Sequence, residues 1–150
     1  MKTIILGDIH GRTIWKDIIN QEKEYDKIVF TGDYVDTHEN ILPSQQLENL
    51  ADIIQFKKDN SDKVTLLIGN HDYHYLVDEK YSGFQHTMLF SFGELFKEGI
   101  NKGLFQMCVD ISRDTICSHA GISKTWCRNN SVNYNESLDL ISEEINELFK

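Results

Sequence analysis

Short apolar runs alternate with amphipathic stretches along the chain. Thr3–Leu6, Ile28–Phe30 and Val64–Ile68 are continuous apolar segments that stop at Gly7-Asp8, Gly32-Asp33 and Gly69-Asn70, the pattern of buried strands ending in a turn. Between them, Ile14, Trp15, Ile18 and Ile19 share a helical face opposite Lys16, Asp17 and Asn20, which predicts a helix ending near Tyr25. Leu47, Leu50, Ala51 and Ile54 predict a second helix, with Ser44 as its N-cap behind Pro43. Further on, Met88, Phe92, Leu95 and Phe96 have helical spacing, and Leu104–Val109 and Thr115–Cys117 read as strands. Trp126 to Asn135 reads as a polar connector. Leu138, Ile141, Ile145 and Leu148 line a last helix, with Asn133 and Glu136 resembling its cap and N3 partner. Strands alternating with helices predict a parallel α/β sheet in one domain, residues 1–150, with the polar clusters gathered at the carboxyl ends of the strands.

Composition narrows the function classes. The 150 residues are 40% hydrophobic and 26% charged, enough to bury a core without disulfides or a structural zinc. A formal charge of −9 repels a phosphate backbone and argues against general nucleic-acid binding. Cys108, Cys117 and Cys127 show no C-x-x-C spacing, so neither a disulfide framework nor a cysteine zinc site is expected. No apolar run approaches the roughly 20 residues of a membrane span, and the apolar start is too short for a signal peptide. The expectation is a cytoplasmic protein without a membrane partner.

The chemistry lies at the strand ends: Gly7-Asp8-Ile9-His10-Gly11, Gly32-Asp33-Tyr34-Val35-Asp36, Gly69-Asn70-His71-Asp72 and Ser118-His119-Ala120-Gly121. In each, a small residue ends the strand and the next positions supply carboxylate, imidazole or carboxamide groups, which are ligands for divalent metals. A Gly-Asp after one strand is often only a turn. Four such clusters on neighbouring strand ends point to a metal centre.

These clusters resemble the calcineurin-like metallophosphoesterase superfamily, whose signature is GD-x-H, GD-x-x-D, GNH-D/E and a later H-x-G, and the resemblance covers Thr3 to Gly121. GDYVD and His119-Ala120-Gly121 look most like serine/threonine phosphoprotein phosphatases, related phage phosphatases and diadenosine tetraphosphate hydrolases. Here, however, Asp36 is followed by Thr37-His38 instead of Arg-Gly, and the third motif ends in Asp72 instead of Glu. The resemblance implies an αββα sandwich, with a second sheet that is incomplete in this chain. It implies two divalent metals, manganese first, with iron, zinc, nickel or cobalt as alternatives. Asp8 and His10 would hold one metal, Asn70 and His119 the other, and Asp33 would bridge them. A water shared by the two metals would attack phosphorus as hydroxide. His71, oriented by Asp36, would protonate the leaving group.

Arg12 and Asn70 are candidate contacts to the bound phosphoryl group. His38, His74 and His86 carry no motif support and read as loop or surface residues, and the aromatics Phe84, Phe90, Phe92 and Phe96 read as core. No histidine follows His119, although the family normally supplies a further one. The substrate expected is a phosphate ester: a phosphoprotein, a nucleotide or a small molecule. The alternative is a weakly active or inactive metallophosphoesterase-like binding module. The stripe on the last helix offers either a homodimer contact or packing on the chain's own sheet.

Overall fold

A computed structural model describes residues 1–77 and 79–149. Four parallel strands, β1 (Thr3–Leu6), β2 (Lys27–Phe30), β3 (Val64–Leu67) and β4 (Phe105–Gln106), pair in chain order. The pairing is in register, Leu6 with Phe30 and Phe30 with Leu66, so their carboxyl ends form one edge. Alternate residues Leu6, Phe30, Leu66 and Phe105 point to one face and form a core with Trp15 of α1 (Ile14–Gln21), Leu50 and Ile53 of α2 (Pro43–Asp59), and Phe92 and Phe96 of α4 (Leu89–Asn101). The short helix α3 (Asn70–Tyr73) begins directly where β3 stops.

The second sheet is the antiparallel hairpin β5 (Cys108–Ser112) and β6 (Thr115–Ser118), two strands among the described residues. With α5 (Lys124–Asn129) and α6 (Leu138–Phe149) it encloses a second cluster of Cys108, Cys127, Val132, Ile141 and Ile145. This is the mixed α/β architecture that the motifs implied, with its short second sheet.

Several element boundaries differ from the expectations. The apolar run Leu104–Val109 is two strands in two sheets, because Asn146 of α6 accepts the N–H groups of Met107 and Cys108 at 2.8 and 3.2 Å and donates to the Cys108 carbonyl at 2.9 Å. The chain therefore leaves the parallel sheet at Met107. Helix α1 stops at Gln21, since the polar residues after it have no apolar face to bury. Ser44 is not a cap: Pro43 takes the first helical position, where its missing N–H costs nothing, and Leu42 precedes it. The predicted connector contains α5, whose cap Ser123 accepts the Trp126 N–H at 3.1 Å. Asn133 bonds the Glu136 side chain at 2.8 Å instead of capping α6, which starts at Leu138. Of the stripe on α6, Ile141 and Ile145 are buried against the chain's own hairpin, with Leu138 packed beside them.

Candidate active site

The strand-end loops adopt conformations that L-residues avoid. Asp8, His10, Asp33 and Asp36 all have positive φ, at 49°, 44°, 54° and 62°. Such strain persists only where surrounding structure enforces it, and it concentrates at functional sites. Here the enforcement is close backbone packing. A Cβ on Gly32 would lie 2.3 Å from the Gly69 nitrogen, and one on Gly69 would lie 2.1 Å from Asp33 Oδ1. The ends of β2 and β3 therefore touch through glycine, and this contact brings Asp33 and Asn70 together.

Asp72 fixes the same junction. Fully buried, it accepts the N–H groups of Asp33 (2.7 Å), Tyr34 (2.8 Å) and Gly69 (2.9 Å). Burial pushes its carboxyl well above the usual range, and the three donors act against that shift.

Asp33 has two distinct oxygens. Oδ1 accepts the His71 N–H at 3.0 Å, whereas Oδ2 faces His10 Nε2 at 3.8 Å and His119 Nε2 at 3.6 Å. Each imidazole uses its other nitrogen on a backbone carbonyl, His10 Nδ1 on Val35 at 2.8 Å and His119 Nδ1 on Thr31 at 2.9 Å. A carbonyl can only accept, so both Nδ1 atoms carry protons and both Nε2 lone pairs point inward. His119 Nε2 then sits 3.0 Å from Asn70 Oδ1, two acceptors facing one another. A cation relieves that juxtaposition, and imidazoles held by a carbonyl in this way are characteristic of metal ligands. Asp8, Asp33 and His119 offer ligand atoms within 4.8 Å of one another. The donor set of carboxylate, imidazole and carboxamide thus fits divalent metals.

Beside it lies a second cluster centred on Asp36, which is fully buried. Its Oδ2 is 3.3 Å from His71 Nδ1, and its Oδ1 accepts the Tyr75 hydroxyl at 2.5 Å. Burial, and then that donation, push the Tyr75 phenol far up, so it remains a donor. His74, expected at the surface, is fully buried here and lies with Nε2 2.6 Å from Asp36 Oδ2, although off-line for a hydrogen bond. Its Nδ1 accepts the Tyr81 N–H at 3.2 Å, so Nε2 carries the proton. Burial lowers the His74 pKa, with Asp36 opposing.

All the residues singled out from the strand-end motifs meet at this edge. Arg12 stands at the rim, where its guanidinium donates to the Asp8 carbonyl at 2.9 Å and to Glu39 at 2.7 Å. Sequence reasoning placed Asp72 in its motif without a role and missed His74 and Tyr75 as site residues. The available signal was their position one to four residues after Asn70 or His71, in a turn too short to show periodicity.

The profile of the calcineurin-like phosphoesterases matches residues 1–149. The chain belongs to that family. It is a metal-dependent phosphoesterase, and Asp8, Asp33 and His119 form a group that could hold a metal ion. No curated protein and no solved structure gives a significant match.

Proposed function

We infer that this phosphoesterase hydrolyses phosphate esters at a two-metal centre, acting as a serine/threonine-type phosphatase or on small phosphoesters. Asp8, His10 and Asp33 would hold one metal, and Asp33, Asn70 and His119 the other. The observation that carries this reading is the position of Asp33 Oδ2 between two imidazoles whose Nε2 lone pairs both face it. A single anionic oxygen so placed offsets the repulsion of two adjacent cations. When bound, the metals supply an acidified water and neutralise charge on the phosphoryl group. Mixed oxygen and nitrogen donors suit manganese, with iron, zinc, nickel or cobalt also accommodated.

The chain's own residues would do the rest. Asn70 would donate its amide to the phosphoryl group, and Arg12, beside the Asp8 carbonyl, would bind a phosphoryl oxygen by exchanging its Glu39 partner. His71 would hold the proton for the leaving oxygen, on a ring steered by Asp36, whose other oxygen accepts the Tyr75 hydroxyl. The test is hydrolysis of para-nitrophenyl phosphate with added manganese, before and after chelation. Turnover that disappears with chelator and returns with manganese supports the reading. Metal-independent turnover, or none with any of the five metals, overturns it.

A further inference from the structure

A cleft of about 330 Å³ opens on Asn70 and His119 and extends away from them between the hairpin and α6. Its walls are Tyr73 of α3, Ile122, Trp126 of α5 and Ile145 of α6. Among the described residues, no Lys, Arg, Asp or Glu lines it, so beyond the two metal-facing residues it offers nothing to hold a charged group. A dry apolar cavity of about 150 Å³ is enough to bind benzene, so this volume suits a one- or two-ring group.

Two aromatic side chains remain partly in water here, Tyr73 at 39% and Trp126 at 40% exposed. The Trp126 backbone is pinned, since its N–H donates to the cap Ser123 at 3.1 Å, and this fixes the point from which the ring reaches the cleft. Large apolar surface beside a polar reaction centre marks a ligand site more often than an unfilled core.

The geometry points to a specificity site in this cleft: the organic substituent of the phosphate ester is aromatic and uncharged, and it packs on Trp126 and Ile122 while the phosphoryl group sits at Asn70 and His119. This rests on the two-metal phosphoesterase reading, and it narrows the substrate from phosphate esters in general to aryl or arylalkyl esters. Peptides flanked by acidic residues and polyphosphates gain nothing from such walls. Burying one aromatic ring should tighten binding at least 10-fold over a methyl group.

The test uses the manganese-loaded full chain and two non-hydrolysable probes, phenylphosphonate and methylphosphonate, measured by calorimetry. The expected result is at least 10-fold tighter binding of phenylphosphonate, reduced to near parity in Trp126→Ala, with methylphosphonate affinity unchanged. Ile122→Ala, which removes less surface, should give a smaller reduction in the same direction, and it decides the matter if Trp126→Ala does not fold. With 2-naphthyl phosphate as substrate, both variants should raise KM and leave kcat unchanged. Equal affinity of the two phosphonates for the wild type, or a preference untouched by both variants, overturns the inference. Neutral 2-naphthol separates the two readings. If neither phosphonate binds but calorimetry shows 2-naphthol binding that Trp126→Ala abolishes, the aromatic site stands and the phosphoesterase centre falls. If 2-naphthol does not bind either, both fall.

Discussion

Asp72 holds Asp33 through the backbone: the Asp33 N–H donates to Asp72 Oδ2 at 2.7 Å, and the same oxygen accepts Gly69 at 2.9 Å. A buried carboxylate with no role in metal binding thus sets where the proposed bridging carboxylate points. Asp72→Asn replaces one acceptor with an amide that faces an N–H. The expected loss is about 1–3 kcal/mol of stability, the cost of a buried donor left unpaired. Thermal unfolding measures it, and manganese titration of the same variant should show weaker binding.

Asp33→Asn removes the charge between the two metal positions and should leave at most one metal tightly bound per chain. Metal content after dialysis decides this. Two retained equivalents would remove Asp33 from the bridging role.

His71→Ala should keep the metals and lower turnover of alkyl phosphates by about 100-fold or more, the usual share of general acid catalysis. Para-nitrophenyl phosphate, whose leaving group needs little protonation, should suffer much less. Tyr75→Phe, which removes the hydroxyl that Asp36 accepts, should show the same dependence on the leaving group at smaller amplitude. Equal losses on both substrates would instead assign the pair to phosphate positioning.

Tyr34 gives a prediction in alkaline solution. Its hydroxyl is buried and donates to the Leu67 carbonyl at 2.9 Å, and burial, then the charges of Asp72 and Asp33, push its phenol well above the usual value. The folded group keeps its proton where the unfolded one loses it, near pH 10. Its contribution is therefore complete below that pH and is lost as pH rises above it. Urea midpoints from pH 8 to 11 should fall, and Tyr34→Phe should flatten the fall while costing about 1 kcal/mol at neutral pH for the lost hydrogen bond.

The first three strands and their glycine ends were legible because both signals are local: an apolar run marks burial, and Gly-Asp or Gly-Asn marks where it stops. The convergence of Asp8, Asp33 and Asn70 followed from parallel topology alone, whereas His119 arrives from the antiparallel hairpin of the second sheet. The break at Met107 was not legible, since Leu104–Val109 carries no turn residue and the break is imposed by Asn146, 38 and 39 residues away. His74 was misread for a related reason. Helix α3 has only four residues, too few for a buried face to show in the pattern, and its neighbour Asp36 comes from another strand end.

The Asn146 clamp also has a consequence for the order of assembly. His119 reaches Thr31 across 88 residues of chain, and the hairpin that carries it is fixed to the sheet switch by a side chain of the last helix. Asp8 and Asp33 can take their places once the parallel strands have paired. His119 can join them only after the final third of the described chain has docked, a closure over a long loop and an intrinsically slow kind of event. During synthesis, the amino-terminal half of the centre would therefore exist before its counterpart, open to solvent and able to hold a metal only loosely. Tight loading would then be a late step, and metal retention would report on whether α6 has seated.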